Sequence, residues 1–284
     1  MFAKRSDAGW ERPAASSTGP GREGRDAIAA HVKTRPGAPA GFFALEAAGL
    51  RWLKEPEADG GARVVDVLDV GRNKLVLRKI AAGEASSSKA RAFGEALART
   101  HDAGAPGFGA APDGWERDGW FGPLDDPRRM KLTPRASFGE FWAHDRIAPA
   151  IAELAQRPGT YAPSELAVFE RLMEKLADGE FDDDEAPARV HGDLWWGNLM
   201  WDPDGAILID PAAHGGHREE DLALLGMFGV PHLDDIIAGY EAVHPLPGRE
   251  SRAPLHRLYA VLMHAVLFGG GYAGQAAEIA KRYA

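Results

Sequence analysis

ARVHGDLWWGNLMWDPDGAILIDPAAHGGHREEDLA, residues 188–223, sets a carboxylate, an amide and a second carboxylate at fixed spacing. Four residues separate Asp193 from Asn198, and Asp210 follows twelve residues after Asn198, at the end of the apolar run Ala206–Ile209. Asp202-Pro203-Asp204-Gly205 supplies a turn between two apolar stretches, so the segment reads as a loop followed by a β-hairpin. The bland alternative is a Gly/Pro-rich hairpin whose polar residues only cap turns, and an isolated Asp-x4-Asn would favour it. The full order of His-Gly-Asp, Asn, turn, apolar strand and Asp is much rarer. It is also the set that phosphoryl transfer from a nucleotide needs. One carboxylate orients or accepts the proton of the attacking hydroxyl, while an amide and a second carboxylate hold the magnesium that bridges the phosphates.

The Asp193-to-Asn198 spacing matches the catalytic loop of protein kinases, with His-Gly-Asp in place of His-Arg-Asp. Ile209-Asp210-Pro211 stands where those enzymes carry Asp-Phe-Gly. More closely, HGDLWWGN (191–198), LIDPAAHGGHREEDLA (208–223) and FFALEAAGL (42–50) resemble the fructosamine kinase, or ketosamine-3-kinase, family within the aminoglycoside-phosphotransferase-like and protein-kinase-like superfamily. Gly215-Gly216-His217-Arg218-Glu219 with Asp221-Leu222-Ala223 separates the chain from general aminoglycoside and choline kinases. The resemblance covers residues from about 31 to 284; Trp196 departs from it, where the family's loop usually has serine.

The resemblance implies an α+β, two-lobed protein-kinase-like fold. Residues 1–82 would form a small antiparallel-sheet nucleotide lobe, and residues 83–284 a larger, mainly helical catalytic and acceptor lobe. Asp193 would take the acceptor proton. Asn198 and Asp210 would hold Mg²⁺, and Lys33, steadied by Glu46, would bind the ATP phosphates. His191 would brace the loop by hydrogen bonds and Trp195 would pack beside the site. His217, Arg218, Glu219 and Asp221 would open a helix, with Asp221 bracing the catalytic loop and His217–Glu219 approaching the acceptor. The acceptor would be a ketosamine, such as a glycated lysine on a protein, phosphorylated on its third sugar hydroxyl by direct in-line transfer. The rivals are a kinase for an aminoglycoside, choline or plain sugar, and a nucleotide-binding protein without catalysis.

Composition is consistent with this. The chain has 284 residues, 45% apolar and 26% charged, an ordinary globular balance. Its net charge of −9 argues against nucleic acid or an anionic membrane as the main partner. It contains no cysteine, which excludes disulfides, thiolate metal sites and a cysteine nucleophile and suits a reducing cytoplasm. Met1–Arg5 is followed by no apolar run, as a signal peptide would require, and Leu258–Gly271 is too short to span a bilayer.

Along the chain, residues 1–27 show no period and read as irregular, with Gly19–Gly24 a poor candidate for a phosphate loop. Ala29–Lys33 reads as a strand, Phe42–Leu53 as a helix, and residues 63–69 and 74–80 as two antiparallel strands leading to a hinge at 79–83. Ser88 is expected to cap a helix through Thr100, and His101 is assigned no chemistry. Trp115, Trp120 and Phe121 either line the acceptor cleft or cover the core. Helices are expected over 138–154, 164–177, 232–243 and 251–268. Asp182–Glu185 reads as a hydrated acidic loop.

Overall fold

The computed structural model describes residues 29–284, so the readings for residues 1–27, including the Gly19–Gly24 cluster, lie outside the described residues. Strand β1 (Ala30–Thr34) is followed by helix α1 (Phe42–Lys54) and a 3₁₀ turn over Glu55–Asp59 with Pro56 in its first positions. Strands β2 (Val67–Gly71) and β3 (Lys74–Arg78) complete a three-stranded antiparallel sheet of order β1-β3-β2. In β3 the alternation Lys-Leu-Val-Leu-Arg sends Leu75 and Leu77 inward and leaves Lys74 and Arg78 exposed, the period of a strand with one covered face. Lys33 pairs with Leu75 in the register.

The second lobe begins with α2 (Ser87–Asp102). Its N-cap is Ser86 rather than the expected Ser88: Ser86 is extended, and its Oγ accepts from Lys89 N at 3.3 Å. A short hairpin, β4 (Gly119–Phe121) with β5 (Arg128–Met130), precedes a rod in which α3 (Phe138–Phe141) passes through a π-helical turn over Trp142–Ile147 into α4 (Ala148–Ala155). After α5 (Pro163–Ala177) come β6 (Ala188–Val190), β7 (Leu199–Asp202), β8 (Gly205–Leu208) and β9 (His214–Gly216). β7 pairs with β8 across the Asp-Pro-Asp-Gly turn, and β6 pairs with β9, so the residues between them are held as two facing loops. The chain ends with α6 (Glu219–Met227), α7 (Leu233–Val243), α8 (Arg249–His256), α9 (Leu258–Phe268) and α10 (Tyr272–Tyr283). The single helix expected over 251–268 is therefore two, divided at Arg257, with Pro254 inside the first of them. None of the helices among the described residues is long and apolar enough to cross a membrane.

Two apolar cores result. One joins the small sheet and α1 to α2, α7 and the β7–β8 hairpin; the other is built from the α3–α4 rod, α5, α9 and α10. Helices α2 and α7 cross where each offers a glycine. A Cβ at Gly94 would stand 1.9 Å from the Ile236 carbonyl oxygen, and one at Gly239 would stand 2.0 Å from the Arg91 oxygen. This close crossing brings His101 of α2 and Tyr240 of α7 together, with ring centroids 5.5 Å apart. The acidic connection before β6 is not simply hydrated. Asp182 accepts from Gly139 N, Asp183 faces His217, and Glu185 pairs with Arg218 and His244.

Because backbone rather than a flexible side chain blocks the space, Gly94→Ala and Gly239→Ala should each lower stability by about 1–3 kcal/mol. Thermal denaturation should show a fall of several degrees in Tm for each variant, and an unchanged Tm would mean that the two helices do not need this separation.

Candidate active site

The catalytic-loop candidates are held by backbone geometry that the sequence dictates locally. His191 leaves β6 and Gly192 turns with φ 77°. A Cβ on Gly192 would meet the Ala212 carbonyl oxygen at 2.4 Å, so only glycine fits between the two facing loops. His191 is fully buried. Its Nε2 donates to the Ile209 carbonyl at 2.8 Å, which leaves Nδ1 to accept from Asp193 N at 3.3 Å. Burial lowers the His191 pKa, so the ring stays neutral, with both nitrogens taken up by backbone groups.

Asp193, Asn198 and Asp210 converge. The Asn198 amide nitrogen donates to the Asp193 carbonyl at 2.8 Å, to Asp193 Oδ2 at 3.1 Å and to the Asp210 carbonyl at 3.4 Å. The loop between is filled by Trp195, whose ring lies against Gly197 so closely that a Cβ there would meet it at 2.3 Å. Trp196 stacks edge-on against Trp195 at 5.3 Å and is 42% exposed. Asp210 has φ 55°, a left-handed conformation that aspartate tolerates better than most residues, at a strategic point where strand β8 gives way to the loop before β9. Enclosure pushes the Asp193 carboxyl up to about 8 against the Asn198 hydrogen bond, with help from the charges of Asp210 and Asp221.

From the other lobe, Lys33 Nζ lies 2.6 Å from Glu46 Oε1 and 3.0 Å from Asp210 Oδ1. Burial opposes the ammonium, but the two carboxylates outweigh it and hold the Lys33 pKa above its ordinary value. The expected Lys33–Glu46 pair is thus formed, and its link to Asp210 adds a contact that spacing did not reveal.

The arrangement fits magnesium. Asn198 turns its nitrogen to Asp193, leaving its amide oxygen without a partner among the described residues, and Asp210 keeps Oδ2 outside its pair with Lys33. Among the described residues no three His, Cys, Asp or Glu side chains form a metal cage. Two hard oxygens suit an ion that retains waters and takes phosphate oxygens for the rest of its shell.

The helix opened by Glu219 carries the support of the loop. Asp221 is buried, and its two oxygens accept from His191 N at 2.7 Å and Gly192 N at 2.9 Å. His101 Nε2 reaches Asp221 at 3.2 Å, while His101 Nδ1 is 2.7 Å from the Tyr240 hydroxyl. Burial works against the Asp221 carboxylate, but these donors hold its pKa below the usual value. Sequence reading passed over His101 and Tyr240; both lie more than a hundred residues from a partner, and no local pattern marks them. His217, Arg218 and Glu219 were expected to approach the acceptor. They are buried, with His217 facing Asp183 and stacked on His256, Arg218 paired with Asp102 and Glu185, and Glu219 paired with Arg252.

Comparison with known proteins bears on the fold and the family. The family model for fructosamine kinase matches residues 25–284. A Synechocystis protein assigned as a ketoamine kinase is 33% identical over 215 residues, 75% of this chain and 68% of the relative. Mouse ketosamine-3-kinase is 37% identical over 142 residues, 50% of this chain and 45% of the relative. The crystal structure of a Thermobifida fusca protein assigned as a fructosamine-3-kinase superposes with a TM-score of 0.79 at 40% identity, covering 89% of this chain and 84% of that one. The streptomycin–ATP complex of APH(2'')-IIa, at 10% identity and TM-score 0.60 over 89% of this chain and 84% of that one, shares the fold alone. With the family model spanning all the described residues, this chain belongs to the fructosamine kinase family.

Proposed function

We propose that this protein transfers the γ-phosphoryl group of ATP to a sugar hydroxyl of a ketosamine, with Mg²⁺ as cofactor, and so acts in the removal of glycation from amines such as protein lysines. The observation that carries this is the convergence of Asp193, Asn198 and Asp210 opposite the Lys33–Glu46 pair. A non-catalytic nucleotide-binding protein would have no use for the complete set.

Asp193 accepts the proton of the attacking hydroxyl as the new oxygen–phosphorus bond forms, and Asn198 Nδ2 holds the carboxylate in place for it. Lys33, fixed by Glu46, binds the nucleotide phosphates with a compact charge. Asn198 Oδ1 and Asp210 would hold the metal, which when bound neutralises charge developing on the phosphates. The rest is positioning, because loose phosphoryl transfer leaves the protein little covalent chemistry to do. Membership of the family favours the ketosamine acceptor and its third hydroxyl. The acidic pair Glu219 and Glu220 contributes nothing to attracting an amine, since Glu219 is fully buried with Arg252 and Glu220 is turned to His214 and His217 N.

Asp193→Asn should keep the fold and nucleotide affinity and lower kcat by ~10²–10⁴-fold. A coupled ADP-release assay giving wild-type turnover in that variant would remove Asp193 from the mechanism. Asp210→Ala should weaken binding of a Mg·ATP analogue more than Asp193→Asn does, because it removes a metal oxygen and a partner of Lys33; calorimetry showing equal affinity in the two variants contradicts the assignment. Across ketosamines, free sugars and aminoglycosides, kcat/KM for fructosyl-lysine should exceed that for fructose by at least ~10-fold, about 1.4 kcal/mol. Phosphorus NMR should locate the product phosphate on the third hydroxyl. A preference for aminoglycosides or free sugars would reassign the acceptor.

A further inference from the structure

The catalytic loop carries an exposed aromatic side chain that the chemistry above does not use. Trp196 stands three residues after Asp193, so their Cα atoms can be no more than about 11 Å apart. Trp195 N donates to the Asp193 carbonyl at 3.1 Å, and Asn198 N donates to the Trp195 carbonyl at 2.9 Å, which closes the loop into a tight turn that contains Trp196. The Trp195 ring is folded back over Gly197. Trp196 meets that ring edge-on at 5.3 Å and keeps 42% of its surface open.

This exposure is not solitary. From Trp195 a row of rings continues to Phe228 at 6.2 Å, from Phe228 to His264 at 5.2 Å, and from His264 to Phe268 at 5.5 Å. Phe268 is 62% exposed, so both ends of the row are large aromatic side chains open to solvent. One exposed aromatic is ordinary on a protein surface, whereas a joined strip that ends on a catalytic loop marks a binding surface. What such rings offer is apolar contact. The part of a ketosamine that can use it is the carbon chain on its amine, such as the methylenes of a glycated lysine, because the sugar itself is polar all round. In a ketosamine the amine is joined to the first sugar carbon, two carbons from the third. An acceptor held at Asp193 by its third hydroxyl therefore has its amine chain only a few bonds away, within the span that separates Asp193 from Trp196.

Resting on the ketosamine kinase reading above, we propose that Trp196 is a specificity-determining residue whose exposed indole receives the alkyl chain on the amine side of the acceptor while the sugar lies at Asp193. Such a contact is made alike before and during phosphoryl transfer, so it acts on KM and leaves kcat alone. The test uses ketosamines that share one sugar, fructose, and differ in the amine: methylamine, butylamine, hexylamine and lysine. Wild-type kcat/KM should rise with chain length. Trp196→Ser, which restores the residue usual in the family's loop, should lower kcat/KM for the hexylamine adduct about 3–10-fold through KM. The same variant should change the methylamine adduct by less than about 2-fold and leave kcat, KM for ATP and Tm as they are. Trp196→Phe keeps an aromatic ring and should recover most of the wild-type preference for long chains. A flat wild-type series, or a hexylamine-to-methylamine ratio that is the same in Trp196→Ser as in wild type, overturns the contact. An equal loss for every adduct also overturns it, since that marks a disturbed loop and not a lost surface. No turnover of any ketosamine by the wild-type enzyme overturns the proposed reaction and this contact with it, so the wild-type series alone tells the two failures apart.

Discussion

One buried carboxylate holds the catalytic loop in shape. Asp221 spans two successive backbone N–H groups, those of His191 and Gly192, and these immediately precede Asp193. Backbone donors that leave a strand to make a tight turn need a partner, and none is available from the neighbouring strand. By filling that need from the first turn of α6, Asp221 converts a flexible Gly turn into a fixed bend. His101 then holds Asp221 and is itself held by Tyr240, and the glycine crossing of α2 and α7 puts those two side chains side by side. The position of Asp193 is therefore decided by a chain of contacts that begins in a helix-packing interface far from it in sequence.

Beyond Tyr240 the same network continues to the surface. The Tyr240 hydroxyl accepts from Arg218, which pairs with Asp102 and Glu185, and Glu185 pairs with His244. His217, Arg218 and Glu219 are thus all taken up in buried pairs within the protein. Removing one member of such a fully paired buried group leaves its partner uncompensated, so single changes are expected to cost more than the net worth of the pair.

What could be read from the sequence was what lies close together in it. Asp193, Asn198 and Asp210 fall within one loop and one hairpin, where turn chemistry and strand alternation fix their relations. Lys33 and Glu46, thirteen residues apart, were legible only through the family resemblance, since a lysine at a strand end is otherwise most simply a surface residue. The partners of Asp221 were not, because His101 and Tyr240 become neighbours only when two helices cross. Nor could pattern choose between Ser86 and Ser88 as a cap: the hydroxyls are identical, and backbone conformation decides. The acidic run 182–185 looked like a solvated loop since its counter-charges, His217, Arg218 and His244, arrive from later elements.

Lys33 also has a mechanical meaning. Its ammonium touches a carboxylate on α1 and a carboxylate beyond β8, and so it is a clasp between the two parts of the fold that carry them. The distance between the lobes at this point is set by the reach of one side chain. A cation drawn to Asp210 competes with Lys33 for the same carboxylate, so its binding and the spacing of the lobes are thermodynamically linked: each must shift the other by the same free energy. A longer, planar guanidinium at position 33 would keep the charge and change the gap, which makes length, rather than charge, the property that this position preserves.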